Sequence, residues 1–243
     1  MESGTSSRNS PPPIDRGRPD GPVAAPSHAA LAALLDRYAE FRPAPLSPEL
    51  RVFQARGLVE VWEAAERLAG RTLPPPFWAY PWPGGAALAR VVLDHPDRIA
   101  GRRVLDLGTG GGIAALAAAR AGAAEVVAND LDPWALATAR LAADRQGLAL
   151  TPRLGDLTAD PGAVDRFHVV LCGDLAYERR VAPRIRRLLS RARRAGAAVL
   201  AADAGRAYFD TAGMRLIAEY TIDVPQDVEG VTARNARVYA VES

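Results

Sequence analysis

The stretch of the chain that most clearly carries chemistry is the glycine-rich segment DLGTGGG, which lies between a hydrophobic run and an alanine-rich run. Asp106 ends the hydrophobic run, and Gly108, Gly110 and Gly112 follow at every second position. Glycines at a strand-to-helix junction let the backbone turn tightly and approach a ligand, while the helix N-terminus offers unpaired N–H groups. The spacing therefore predicts a site for an adenosine-containing cofactor.

Two cofactors are compatible with this segment. Gly110, Gly112 and Ala115 satisfy the dinucleotide pattern G-x-G-x-x-A, and Asp130 lies at about the 20-residue distance expected for a ribose-binding acid. Asp106 favours the other cofactor, because a carboxylate just before the glycines would repel a diphosphate and attract a cation. S-adenosylmethionine carries a sulfonium and an ammonium group and no phosphate. It is therefore the predicted cofactor, and a NAD-dependent oxidoreductase is the distant alternative.

Strand-like and helix-like segments alternate from residue 103 to the end of the chain. Short apolar runs without period-two alternation, separated by helical segments, are typical of strands buried on both faces of a parallel sheet. The prediction is a doubly wound, mostly parallel α/β fold. Ligands of such sheets bind at the carboxyl ends of the strands, where the strand order reverses.

The first third of the chain has a different character. Residues 1–27 are rich in serine, proline and glycine and are predicted to form a disordered tail. Residues 28–72 are predicted to form an N-terminal helical extension, with one helix in HAALAALLDRYAEF and a second that Ser47 opens with Pro48 just inside. Residues 73–243 are predicted to form the catalytic domain.

The composition narrows the class of protein. The chain has 243 residues and is 49% hydrophobic, which is enough for one α/β domain with a substantial core. Its single cysteine, Cys172, excludes an intramolecular disulfide, and its three histidines are too scattered for a zinc site, so no metal is expected. No apolar stretch approaches ~20 residues without a charge or a proline, and no signal or transit peptide is recognisable. We therefore expect a cytoplasmic protein with no membrane partner.

The segment VLDLGTGGG resembles the first motif of the class I S-adenosylmethionine-dependent methyltransferases. The resemblance implies a Rossmann-like sheet of seven strands, with Asp106 as the acid of that motif and with Gly108, Gly110 and Gly112 lining the cofactor. In VVANDLDPWAL it assigns the ribose hydroxyls to Asp130, with Asp132 as a nearby alternative. In RLGD it places Asp156 against the adenine amine.

Two further segments, PFWAYPWPGG and LCGDLAYE, resemble the seven-strand lysine methyltransferases, and within them the family that modifies the electron transfer flavoprotein β-subunit. The resemblance implies that Asp174 and Tyr177 are catalytic, that Trp82 packs near the cofactor, and that the partner is a protein substrate. Methylation of ribosomal protein L11 is an alternative, although GDLAY departs from the Asn-Pro loop usual there. A small-molecule N-methyltransferase, for example one acting on nicotinamide, is another.

Eight of the 30 basic residues lie between Arg179 and Arg194, and every basic residue of the chain is an arginine. A nucleic-acid groove is an unfavoured interpretation of this run, because no aromatic residues are interleaved with the arginines. Docking of an acidic protein surface is the preferred hypothesis.

Overall fold

The computed structural model describes residues 23–242. Seven helices and nine strands were assigned there. The helices are α1 (His28–Tyr38), α2 (Leu58–Ala69), α3 (Pro83–Asp94), α4 (Ile113–Arg120), α5 (Pro133–Asp144), α6 (Ala182–Arg194) and α7 (Gln226–Glu229). The strands are β1 (Ala39–Ala44), β2 (Ser47–Ala55), β3 (Arg103–Leu107), β4 (Glu125–Asp130), β5 (Thr151–Leu154), β6 (Val169–Gly173), β7 (Ala198–Asp203), β8 (Met214–Asp223) and β9 (Ala233–Val241). The predicted tail falls outside the described residues, except for 23–27, which have no regular secondary structure.

Seven strands form one sheet in the order β5-β4-β3-β6-β7-β9-β8. The five strands from β5 to β7 run parallel, while β9 runs antiparallel to both of its neighbours. The predicted doubly wound, mostly parallel seven-strand fold is therefore confirmed. The strand order reverses between β3 and β6, so the carboxyl ends of these two strands define the expected ligand crevice.

The central strands are buried on both faces of the sheet. In β3, Val104 belongs to one hydrophobic cluster and the next residue, Leu105, belongs to the other. In β6 the adjacent Val170 and Leu171 are divided between the two clusters in the same way. A strand with apolar contacts on both faces needs no polar alternation, which explains the continuous apolar runs in the sequence.

The predicted second helix beginning at Ser47 is wrong. Residues 47–55 form β2, which pairs antiparallel with β1, and α2 begins only at Leu58. The hairpin places Leu50, Val52 and Phe53 in the core, and Pro48 falls where the register of the two strands shifts, so its missing N–H disrupts no ladder. The first helix likewise ends at Tyr38, because the following residues enter β1.

The segment from 28 to 72 shares a core with the sheet. Leu35 of α1 and Val52 of β2 belong to the same buried cluster as Leu88 of α3. The domain boundary at residue 73 stays a prediction, and the core is continuous across it. No helix among the described residues is long and apolar enough to cross a membrane.

Candidate active site

The glycine loop connects β3 to α4 in a backbone conformation that requires glycine. Gly108, Gly110 and Gly112 have φ angles of 66°, 54° and 90°, in the left-handed region that L side chains rarely adopt. A Cβ on the neighbouring Gly111 would lie 2.7 Å from the carbonyl oxygen of Trp78. The loop therefore packs closely against the aromatic segment that precedes α3.

Asp106 is buried beneath this loop, with 3% of its surface exposed. Its Oδ2 accepts hydrogen bonds from the Thr109 hydroxyl at 2.6 Å and from the Ala115 amide in α4 at 3.1 Å. Burial raises the pKa of this carboxyl to about 7, and both hydrogen bonds oppose the rise. The carboxylate therefore fixes the loop and titrates near neutrality.

Asp130 ties the loop to the end of β4. Its Oδ2 accepts a hydrogen bond from the Gly110 amide at 2.9 Å, and its Oδ1 accepts one from the Asp132 amide at 3.0 Å. Asp132, the alternative acid, is instead the N-cap of α5, because its side chain accepts a hydrogen bond from the Trp134 amide at 2.8 Å.

Asp156 lies beyond the edge strand β5 and is exposed. Its Oδ1 accepts hydrogen bonds from the amide and hydroxyl of Thr158, and its Oδ2 is paired with Arg184 at 2.8 Å. The structure does not place Asp156 among the residues that line the crevice at the glycine loop. The adenine contact assigned to it stays a prediction.

The aromatic segment covers the other side of the crevice. The indole N–H of Trp82, just before α3, donates to the carbonyl of Phe77 at 2.8 Å, and the Tyr80 ring packs edge-on against Trp82 at 5.0 Å. Trp78 also lines the crevice, but it is 3% exposed and stacks on Trp134 with a centroid distance of 5.9 Å. Tyr80 and Trp82 line the crevice, and their side chains are not part of the hydrophobic core.

Asp174 follows β6 at the switch point, and its φ angle is 54°. A non-glycine residue in this region is strained, and such strain is typical of functional sites. The carboxylate is 7% exposed and accepts hydrogen bonds from the amides of Gly84 at 2.6 Å and Ala204 at 3.2 Å. Burial raises its pKa, and the guanidinium of Arg206, with Nε 3.4 Å from Oδ1, counteracts the rise.

Tyr177, the second predicted catalytic residue, is 47% exposed. Its ring lies 5.8 Å from that of Phe77, between centroids, so it contacts the aromatic segment at its outer end. The DLAY segment, residues 174–177, therefore borders the crevice on one side, and the aromatic segment borders it on the other.

An arginine that no sequence motif indicated connects these parts. Arg206 lies over the Trp82 ring at 5.1 Å and pairs with both Asp174 and the buried Glu229, the latter at 3.1 Å. Asp203 fixes the turn that carries it, since its Oδ1 accepts hydrogen bonds from the amides of Gly205 and Arg206 at 2.6 and 2.7 Å. Arg206 lies about 30 residues along the chain from Asp174 and about 120 from Trp82, so no local pattern indicates the contact.

The chemistry of the residues that line the crevice matches the predicted cofactor. The crevice lining includes Asp106, the backbone from Gly108 to Gly111, and the residues Tyr80 and Trp82. A Cβ built on Gly110 would meet nothing closer than 4.0 Å, so this face of the loop is open to a ligand. A buried carboxylate beside exposed backbone and aromatic walls suits a cationic adenosine derivative. No group of three or more potential metal ligands occurs among residues 23–242.

Comparison with known proteins finds methyltransferases. A family model described as a methyltransferase domain matches residues 104–215. The Xenopus laevis electron transfer flavoprotein beta subunit lysine methyltransferase is 32% identical over 82% of this chain and 81% of its own length. The Danio rerio protein of the same name is 40% identical over 58% of this chain, which spans only 55% of that relative. A chain described as a methyltransferase and crystallised with SAH matches in fold, with a TM-score of 0.50 and 12% identity over 79% of this chain and 53% of that one.

The fold and the matched family model thus define a chain with a methyltransferase domain of the Rossmann-like class, and the lining of the crevice suits the S-adenosylmethionine predicted from Asp106 and the glycines. Within the class, the chain belongs to the family of the electron transfer flavoprotein beta subunit lysine methyltransferases.

The buried carboxyl group of Asp106 makes the free energy of unfolding decrease as the pH rises. Its pKa is about 7 in the folded protein against 3.8 for the free side chain, so between those values the folded state holds a proton that the unfolded state has lost. This contribution to stability is therefore present at low pH and is lost as the pH rises to about 7. From pH 5 to pH 8, wild type should lose about 3 kcal/mol of stability relative to Asp106→Asn in urea unfolding.

Asp97→Asn is the matched control, because it removes the same charge from an exposed position. An equal pH dependence in wild type and Asp106→Asn would contradict the burial of this ionisable group.

Proposed function

We propose that this chain is a protein-lysine N-methyltransferase that transfers methyl groups from S-adenosylmethionine to a lysine of the electron transfer flavoprotein β-subunit. The observation that supports it best is the position of Asp174, whose neighbour Gly173 lines the same crevice as Asp106 and the glycine loop. A carboxylate at this point lies beside the place where the cofactor would bind. The substrate is inferred from the names of the relatives in the same family.

Each part of the crevice has a role in this proposal. Asp106, Asp130 and the amides of the glycine loop would hold the cofactor, with Trp82 as an aromatic wall. When bound, S-adenosylmethionine supplies an electrophilic methyl group on a sulfonium, which becomes a neutral thioether once the methyl group has been transferred.

Asp174 would orient the substrate amine. Its two oxygens accept hydrogen bonds from Gly84 and Ala204, and a carboxylate has about four acceptor positions, so it can accept a further hydrogen bond from the amine. The lysine must arrive neutral, with its proton lost to water, so that the nitrogen lone pair can form the new N–C bond. Tyr177 would form a wall of the lysine channel. Most of the rate enhancement then comes from positioning and exclusion of water.

The first experiment is incorporation of methyl label from S-adenosylmethionine into recombinant electron transfer flavoprotein. We expect label on a β-subunit lysine. This chain contains no lysine, so any labelled lysine belongs to the substrate. Cofactor binding without label would overturn the proposed substrate and favour ribosomal protein L11 or a small amine. Binding of NAD in place of S-adenosylmethionine would overturn the proposed chemistry. The cytoplasmic location stays a prediction.

A further inference from the structure

A second cleft, of about 310 Å³, lies on the α6 side of the DLAY segment. Leu175 and Ala176, which separate the two predicted catalytic residues, form one wall, and the N-terminal part of α6 forms another. The third wall is the loop that follows β7, with Tyr208 and Phe209, together with Met214 at the start of β8. The floor is apolar, and this cleft does not include the glycine loop.

Contacts across the cleft hold its walls in place. Arg186 of α6 forms an ion pair with Asp210 of the β7 loop and donates to the Ala212 carbonyl at 3.3 Å. The Phe209 ring packs against Tyr239 of β9 with centroids 5.6 Å apart. Tyr208, in contrast, is 45% exposed at the mouth of the cleft. The cleft is therefore formed without a ligand and presents an aromatic ring to solvent.

The rim of the cleft is basic. Arg179 and Arg180 are exposed and have no ion-pair partner within the described part of the chain, whereas Arg186 is balanced by Asp210. Glu178 is the other acid of this rim, and the three arginines outnumber the two acids. Further along α6, Arg191 is neutralised by Asp165 at 2.5 Å. Uncompensated positive charge therefore lies at the end of the helix nearest the DLAY segment.

We propose that this cleft is the docking site for an acidic segment of the protein substrate, which inserts an apolar side chain between α6 and the β7 loop. The inference rests on the proposed function. It adds an explanation of how the target lysine reaches the predicted catalytic residues. A lysine a few residues from the inserted side chain would be brought to the DLAY segment. The apolar floor supplies binding area, and the arginines supply attraction and orientation.

The test compares two pairs of neutralisations at opposite ends of α6. Arg179→Gln/Arg180→Gln removes two charges from the rim, in the turn that precedes the helix, and Arg193→Gln/Arg194→Gln removes two exposed charges at the C-terminal end of the helix, which is about 18 Å long at 1.5 Å per residue. With recombinant electron transfer flavoprotein β-subunit as substrate, the rim pair should raise KM about fivefold or more at low salt. The effect should shrink at high salt, and the distal pair should change KM by less than twofold.

The apolar part is tested with Tyr208→Ala, which removes a half-exposed ring with little effect on the core. We expect a severalfold rise in KM that does not depend on salt. Leu216→Ala is the control, because Leu216 is an apolar residue of similar exposure, 48%, on the edge strand β8. Thermal unfolding of all variants would identify any change that acts through stability.

Equal KM values for the rim pair and the distal pair would overturn the proposal, as would an unchanged KM for Tyr208→Ala. Binding of a labelled single-stranded RNA by wild type that the rim pair abolishes would also overturn it, in favour of a nucleic-acid surface. These results are distinct from failure of the proposed function, in which wild type itself would not methylate the subunit.

Discussion

Asp174→Asn is expected to lower kcat for methylation of the protein substrate at least about 100-fold, because displacing a reacting group by about 1 Å costs this much. Asparagine keeps the size of the side chain but presents an NH2 group to one of the two amides, Gly84 or Ala204, that donate to the carboxylate. It also removes the negative charge that pairs with Arg206. The substrate amine then loses the charged acceptor that would orient it. The measurement is kcat at saturating cofactor and substrate.

The control for this variant must separate chemistry from folding. Thermal unfolding and cofactor affinity by calorimetry should show whether the crevice remains formed. Tyr177→Ala serves as a second variant, since Tyr177 is half-exposed and contacts Phe77 only at the outer end of the crevice. We expect it to act mainly on KM. A kcat for Asp174→Asn within threefold of wild type, in a folded protein that binds cofactor, would remove Asp174 from the catalytic step.

The parts of the site that sequence reasoning found are those whose residue types are dictated locally. Gly108, Gly110 and Gly112 are required by their φ angles, and Asp106 and Asp130 end two adjacent parallel strands, so their proximity follows from the fold. The alternation of buried strands and helices could likewise be predicted, because short apolar runs and helical segments are visible in the local sequence.

Sequence reasoning failed where distant segments decide the structure. Ser47 and Pro48 are typical of a helix N-terminus. The segment nevertheless forms a hairpin, because the hairpin buries the side chains of Val52 and Phe53 in the core. The contact between Asp174 and Gly84 joins residues 90 positions apart, and no local pattern encodes it.

Glu229 is a further example, and it leads to the largest expected loss of stability. It lies in the polar stretch PQDVEG, which reads as a solvated loop, yet its side chain is 1% exposed and pairs with Arg206 and Arg234 at 3.1 and 3.0 Å. Glu229→Gln leaves the partly buried guanidinium of Arg206 without one of its two counter-charges and removes the counter-charge of Arg234. Breaking one partner of a buried ion pair costs about 3 kcal/mol or more. Loss of Glu229 should also loosen Arg206 over Trp82 and beside Asp174.

Urea unfolding of Glu229→Gln against Glu219→Gln measures this contribution. Glu219 pairs with Arg237 at 2.9 Å on the same part of the sheet, but both side chains are more than 40% exposed, so that substitution should cost less than about 1 kcal/mol. The buried variant should lose about 3 kcal/mol and, at temperatures where it remains folded, should bind cofactor more weakly because Trp82 is less well fixed. If the two substitutions destabilise the protein equally, Glu229 does not organise the site, and Arg206 is held by Asp174 alone.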